Sequence, residues 1–219
     1  MINGKKLIEV SLPLEAINKE SAREKSIRHG HPSTLHLWWS RKPLAICRAV
    51  LFASLVDDPG EYLEGDAVEK GRQRLFNLIE DLLKWENTGN EQVINAARLE
   101  IARSVARQKG MTLPAGIAPE QVNAFLAEHA PPVADPFAGG SSIPLEAQRL
   151  GFKAYAGDLN PVAVLINKAL IEIPPRFANM PPVNPEARSK IGGDVSYKGA
   201  AGLAEDVRYY GRLVRDMAY

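Results

Sequence analysis

The sequence feature that most constrains the fold is the run VADPFAGGSSIP at positions 133–144, followed by Asp158 in YAGDLNP. A short apolar segment, an acidic residue, a glycine pair, a helical segment and a second short strand that ends in aspartate predict one βαβ unit. Gly139 and Gly140 lack a Cβ, so the main chain there can adopt positive φ and a ligand can approach it closely. We therefore expect a glycine turn without covering side chains beside the Asp158 carboxylate. The turn and the carboxylate would together form a small-molecule site for a nucleoside.

Helix signals flank this turn on both sides. Pro144 suits the first turn of a helix over 144–150, and Gly151 suits its end. Free amides at the start of such a helix can receive a carboxylate or a phosphate. The Asp158 carboxylate could accept hydrogen bonds from two ribose hydroxyls. Asn160 and Pro161 predict the cap and first residue of a further helix over 161–170.

The residue spacing alone leaves the cofactor open. The dinucleotide pattern G-x-G-x-x-G needs three spaced glycines, whereas this turn has an adjacent pair, so a nicotinamide site is disfavoured. A glycine-lysine phosphate loop is absent as well. The alternative is that the glycines and Asp158 serve packing alone.

Composition excludes several classes of protein. The 219 residues are 45% hydrophobic and 24% charged, as in ordinary globular proteins. The net charge is +1, so any nucleic-acid contact would have to come from local basic patches. A single cysteine, Cys47, excludes an internal disulfide and a multi-cysteine zinc site. Without a membrane-length apolar run or a signal pattern, we expect a cytoplasmic protein that makes no membrane contact.

A second unusual stretch, at positions 28–45, concentrates histidine, tryptophan, arginine and lysine. Three interpretations stay open. His29, His31 and His36 could bind a metal, although their spacing matches no standard zinc pattern. The cations and tryptophans could contact nucleic-acid phosphates and bases. The tryptophans could instead pack into a core.

The residues around the glycine turn resemble a known family. The runs DPFAGGS from Asp135 and GDLNP from Gly157 are similar to the first two motifs of amino-group DNA methyltransferases, D-P-F-x-G-x-G and G-x-(D/E)-x-N-P. The resemblance implies that S-adenosylmethionine binds with its methionine end over the turn and its ribose on Asp158. This sequence has Gly-Gly-Ser where the family commonly has Gly-Ser-Gly. The implied cofactor-binding residues are Asp135, Phe137, Ala138, Gly139, Gly140, Asp158, Leu159, Asn160, His31 and Ser33.

His31 and Ser33 belong to a third motif-like stretch. HPS at 31–33 and RKPLA at 41–45 look like a split version of the family's H-P-T-x-K-P-L motif, which lies against the methionine end of the cofactor. Extra residues at 35–41 separate the two halves. Together with DPFAGG, this stretch resembles the N-terminal uncharacterised domain of large adenine-specific DNA methylases that carry a zinc ribbon. The resemblance covers positions 7–52 and 134–170.

The rest of the chain is predicted to be largely helical. Residues 1–60 would form an N-terminal arm or edge strand, a short exposed helix at 16–25 and a motif-bearing helix at 44–56. The apolar face of the last helix would comprise Leu44, Ile46, Val50, Leu51, Ser54, Leu55 and a buried, structural Cys47. Residues 61–130 would form a helical insertion with helices near 75–83, 93–105 and 119–128.

Residues 131–219 would hold the βαβ unit, a connecting loop, a mobile glycine-rich segment at 190–202 and a final helix at 203–218. Because the sequence stops within this helical pattern, we expect a truncated chain.

We therefore predict an α/β, Rossmann-like S-adenosylmethionine-dependent methyltransferase fold, present in part, with a helical insertion. The resemblance implies the cofactor-binding portion of a DNA adenine-N6 methyltransferase whose full-length form has DNA as its partner. Methylation by the family uses a (D/N/S)-P-P-(Y/F/W) tetrad, which this sequence lacks, so we assign no catalytic residue and expect this chain to be inactive alone. The alternatives are a non-catalytic cofactor-binding or scaffold module and, less favoured, a nicotinamide-linked oxidoreductase.

Overall fold

The computed structural model describes residues 4–190 and 197–218, and the chain divides into two compact units, Met1–Val164 and Leu165–Tyr219. The first unit is built mainly from helices, joined by short 3₁₀ turns. Its helices are α1 (Leu7–Val10), α2 (Leu14–Glu24), α3 (Leu44–Leu55), α4 (Asp66–Leu83), α5 (Glu91–Gln108), α6 (Pro119–His129) and α7 (Ser142–Arg149), and α8 (Pro161–Asn167) spans the boundary to the second unit.

The predicted βαβ unit is present. Strands β1 (Val133–Asp135) and β2 (Ala154–Ala156) pair in parallel, with Val133 opposite Ala154, and α7 connects them. The predicted α/β, Rossmann-like fold is nevertheless wrong, because the chain is 62% helical and has only these two short strands among its described residues. The physical reason is that these helices bury their apolar faces against one another. In a doubly wound fold the helices would instead cover the two faces of a wide parallel sheet.

The core lies among helices α3, α4, α5, α6 and α7. Phe52, Leu75, Ile79 and Ile101 are fully enclosed there, and Leu150 after α7 joins the same cluster. The helices of positions 61–130 thus share their core with the motif-bearing helix and with the helix of the βαβ unit. Burying this much aliphatic surface is the main favourable contribution to folding.

The N-terminal segment packs more tightly than its sequence suggested. The arm or edge strand predicted there is instead helix α1, whose Leu7 is fully buried. Lys6 forms an isolated antiparallel bridge with Asp57, and its ammonium lies 2.6 Å from the Asp57 carboxylate. Helix α2 is not simply an exposed polar helix, because it buries Ile17 and Glu24.

Helix α3 is present, but its predicted face is only partly right. Val50 is exposed, and the buried positions include Arg48, which an apolar stripe would not contain. Helices α2, α4 and α7 all contact α3, so burial extends around it instead of along one stripe. Cys47 is buried as predicted, and desolvation raises the pKa of its thiol to about 12. That pKa keeps the thiol protonated and unreactive.

The described residues of the second unit hold the end of α8, a π-helical turn and three further α-helices. Its elements are the π-helical turn Lys168–Glu172 and helices α9 (Ile173–Arg176), α10 (Pro185–Lys190) and α11 (Ala201–Met217). The predicted connecting loop is thus partly helical, because the prolines of α9 occupy its first turn, where no amide donor is needed. The predicted final helix is present as α11. Of the segment predicted to be mobile, positions 191–196 lie outside the described residues.

No helix in the described part of the chain is long and apolar enough to cross a membrane.

Candidate functional site

The glycine turn, residues 136–141, connects β1 to α7 and is held against the end of β2. The amide of Ala138 donates to the Gly157 carbonyl at 2.9 Å, and the amide of Ser141 donates to the Ala138 carbonyl at 2.8 Å. The amide of Phe137 donates to the Asp135 carboxylate at 3.1 Å. Two residues of the turn adopt left-handed backbone, Gly139 with φ 46° and Ser141 with φ 65°. The turn is therefore tight and fixed by main-chain hydrogen bonds.

Asp158 lies directly against this turn. One of its carboxylate oxygens accepts the Gly139 amide at 2.9 Å, and the other accepts the Asn160 amide at 2.8 Å. These backbone donors, Asn160 first and Gly139 second, lower the pKa of Asp158 below its usual range. The carboxylate stays ionised at neutral pH, and each oxygen keeps a lone-pair direction that can accept a ligand hydroxyl.

The remaining predicted residues of this region surround the turn. The Asn160 side-chain oxygen accepts the Val162 amide at 2.9 Å and so caps α8, as its sequence predicts. Phe137 is 83% exposed and Leu159 is 98% exposed, so both offer apolar surface to solvent beside the turn. Ala138 is buried within it.

The turn is not bare, contrary to the expectation from its glycines. A methyl group on Gly139 would lie 2.6 Å from the indole Nε1 of Trp38, and one on Gly140 would lie 2.8 Å from Nε of Arg41. The Ser142 hydroxyl donates to the Lys42 carbonyl at 2.7 Å, which joins the same two stretches. The close approach that these glycines permit is therefore made, on this side, by side chains of the split motif.

The Gly-Gly-Ser sequence of the turn lies against the extra residues at 35–41. The extra residues at 35–41 supply Trp38 and Arg41, which leave no room for a side chain at Gly140. The serine of this chain comes one place after Gly140. Ser141 takes the left-handed conformation that glycine adopts at lower cost.

Arg41 is the least satisfied polar side chain at the turn. Its three guanidinium nitrogens are all buried, and none has a hydrogen-bond partner in the described part of the chain. Desolvation lowers the pKa of Arg41, opposed by the charge of Glu24. The Ser141 hydroxyl, also buried, likewise has no partner within the described residues. Sequence reasoning missed Arg41 as a site residue, although it lies beside the motif lysine and proline.

His31 and Ser33 are held in a separate network. The His31 ring contacts the Glu24 carboxylate through Nε2 at 2.9 Å, and its Nδ1 accepts the Ser33 amide at 3.0 Å. Glu24 in turn accepts the amides of Leu44 and Ala45, at 2.8 and 2.9 Å, and thereby caps α3. Both predicted residues thus shape the start of the motif-bearing helix. Nothing in the local sequence marks Glu24 for this role.

The metal interpretation of the histidines finds no support in the geometry. His31 contacts Glu24 and Ser33, and no group of three or more histidine, cysteine or acidic side chains is placed to hold a metal ion among the described residues. A zinc site needs three or four such ligands at one point.

Comparison with known proteins gives one match. The family model described as protein of unknown function (DUF1156) matches residues 11–78, less than a third of the chain. The matched residues include α2, the split motif, α3 and most of α4. This match fits the uncharacterised N-terminal domain that the sequence resembles. No curated protein and no solved structure matches the chain.

Proposed function

We propose that this chain is the S-adenosylmethionine-binding portion of a DNA adenine-N6 methyltransferase. One observation carries the proposal: two stretches that each resemble a methyltransferase motif, a hundred positions apart, meet at the glycine turn through the Ser142 to Lys42 hydrogen bond. Segments without a shared role have no reason to carry related motifs and also to touch.

The residues around the turn fit the chemical groups of this cofactor. A ribose diol offers two hydroxyl donors, and Asp158 is an ionised, partly exposed carboxylate with acceptor capacity to spare. Exposed apolar side chains, Phe137 and Leu159, can cover the purine. S-adenosylmethionine would supply an activated methyl group, and this chain would bind and orient it.

In this role the chain binds the cofactor and contributes no catalytic residue. A target base has to be held and its amine hydrogen-bonded while it attacks the methyl group. The (D/N/S)-P-P-(Y/F/W) tetrad that does this in the family is absent from the sequence. The same absence favours a second candidate, a non-catalytic module that binds the cofactor and partners a separate catalytic subunit. Both candidates share the site at the turn.

Calorimetry with S-adenosylmethionine and with NAD tests the proposal. We expect S-adenosylmethionine to bind and NAD to give no heat of binding. Asp158→Asn should weaken S-adenosylmethionine binding on the order of tenfold or more, because a charged acceptor becomes neutral. Circular dichroism should show the helical content unchanged.

Asp206 offers a matched control. Its carboxylate accepts the amides of Val183 and Asn184 at 2.9 Å, as Asp158 accepts two amides, but it lies in the second unit. Asp206→Asn should leave the affinity for S-adenosylmethionine at the wild-type value. Absence of binding to the wild-type chain, or equal affinity for the wild type and Asp158→Asn, would contradict the proposal.

A further inference from the structure

Arg41 presents a guanidinium that the fold buries without satisfying. The group carries five N–H donors, yet Nε, Nη1 and Nη2 are all buried and make no hydrogen bond within the described residues. Burial of an unpaired cation is among the most unfavourable arrangements in a protein interior. A ligand that pairs with this guanidinium would remove that cost.

A second, independent feature lies at the same turn. The Ser141 hydroxyl is buried without a partner among the residues described, and Ser141 itself adopts left-handed backbone at φ 65°. Non-glycine residues in this conformation concentrate at ligand-binding positions, where the surrounding structure enforces them. Ser141 adjoins Gly140, whose methyl position is 2.8 Å from the Arg41 Nε.

We propose that Arg41, with Ser141 beside it, binds the carboxylate group of the ligand at the glycine turn. The inference rests on the proposed function, in which this carboxylate belongs to the methionine portion of S-adenosylmethionine. A planar guanidinium and a carboxylate match in a bidentate pair, and a hydroxyl can donate a further hydrogen bond to the same group.

Ligand entry requires movement of the neighbouring segment, since all three guanidinium nitrogens are buried. The side chains that flank Trp38 do not oppose this movement by packing: Leu37 is 82% exposed and Trp39 is 94% exposed. Binding would exchange the unfavourable burial of Arg41 for a charge-assisted pair.

Arg41→Met separates a ligand-binding role from a structural one. Methionine keeps the aliphatic stem and removes the charge and the donors. We expect the unliganded variant to melt at the wild-type temperature or above it, because an unpaired buried cation is lost. We also expect its affinity for S-adenosylmethionine to fall on the order of 10- to 100-fold. A lower melting temperature with unchanged affinity would overturn the inference.

A second experiment compares the binding of S-adenosylmethionine with that of 5′-methylthioadenosine, which lacks the amino-acid carboxylate. The wild-type chain should bind S-adenosylmethionine more tightly than methylthioadenosine, and Arg41→Met should remove most of that preference. Arg41→Lys should restore part of it, because charge returns without the planar fork. Arg28→Met is the matched control, because the Arg28 guanidinium is exposed and donates to the Lys25 carbonyl at 2.8 Å, away from the glycine turn.

The outcomes distinguish the two hypotheses. If the wild-type chain binds neither compound, the proposed function fails and the inference fails with it. If the wild type binds S-adenosylmethionine and Arg41→Met keeps the full preference over methylthioadenosine, the inference alone is overturned.

Discussion

Two arginines seven positions apart both have buried guanidinium nitrogens, but only one of them has hydrogen-bond partners among the described residues. Arg48, inside the helical core, donates through Nε to the Glu146 carboxylate at 2.6 Å, through Nη2 to the same carboxylate at 3.3 Å, and through Nη1 to the Leu82 carbonyl. Arg41, at the glycine turn, donates to no partner in the described part of the chain. The contrast shows that this fold can satisfy a buried guanidinium where the charge serves stability.

The satisfied pair also positions the unsatisfied group. Glu146 is fully enclosed on α7. It joins that helix to Arg48 on α3 and also accepts a hydrogen bond from Arg149 of its own helix at 2.8 Å. Helix α7 follows the glycine turn, and α3 follows Lys42. The Arg48–Glu146 pair therefore holds α3 and α7 together. The segments that precede these two helices meet at the glycine turn. A rigid support of this kind lets a strained and under-satisfied site persist.

The largest effect should follow from breaking the satisfied pair. Arg48→Met leaves Glu146 buried with only the Arg149 contact, and such losses cost about 4 kcal/mol. Urea denaturation should show this decrease in the free energy of unfolding. The double variant Arg48→Met/Glu146→Leu should recover part of it, because the enclosed Glu146 charge is removed as well, while Arg149 loses its partner. A single variant as stable as the wild type would remove the contrast with Arg41→Met.

Local signals in the sequence predicted the βαβ unit. Strand β1, helix α7, strand β2 and the Asn160 cap all occur where short-range patterns placed them. Each depends on residues within a few positions of one another, and such preferences act before tertiary contacts form. The helices predicted near 75–83, 93–105 and 119–128 from their apolar periodicity are present as α4, α5 and α6, and the first two begin earlier than predicted.

Long-range contacts were not predictable in this way. The Arg48–Glu146 pair joins residues 98 positions apart, and no local pattern marks either of them. The fold class failed for a related reason: one βαβ unit suggested a wide sheet, but the remaining segments are helices that pack on each other. A glycine pair indicates a close approach, and the sequence does not specify that Trp38 and Arg41 make that approach.

Gly139→Ala tests how closely the turn is covered. At Gly139 the new methyl group meets Trp38 at 2.6 Å, and the backbone is left-handed at φ 46°. Gly30 is the matched control, because its φ is 71° and no described atom beyond its own residue and chain neighbours lies within 4 Å of a methyl group there. We expect a loss of about 3 kcal/mol at Gly139 and about 1 kcal/mol at Gly30. Equal losses in urea denaturation would show that Trp38 yields freely.

Ser141→Gly should stabilise the protein, whereas Gly139→Ala should destabilise it. The variant relieves left-handed strain and removes a buried hydroxyl that has no partner among the described residues, so we expect a gain of about 1 kcal/mol. Ser142→Gly, one position later, should destabilise, because it removes the hydrogen bond to the Lys42 carbonyl and puts glycine at the start of α7. If both variants destabilise, Ser141 is a structural residue.

The smallest expected effect is the pH dependence of the contribution that Asp158 makes to stability. Its folded-state pKa is lowered by the Asn160 and Gly139 amides, so its contribution to stability is present above the ordinary aspartate pKa and is lost as the pH falls below it. Asp158→Asn lacks this titration, so the difference in melting temperature between the wild type and the variant should shrink as the pH falls through that range. A difference that stays constant down to the lowest pH would mean that the amides do not favour the charged form. Asp158 would then be no better satisfied than Arg41, and the turn would hold two incomplete groups of opposite charge.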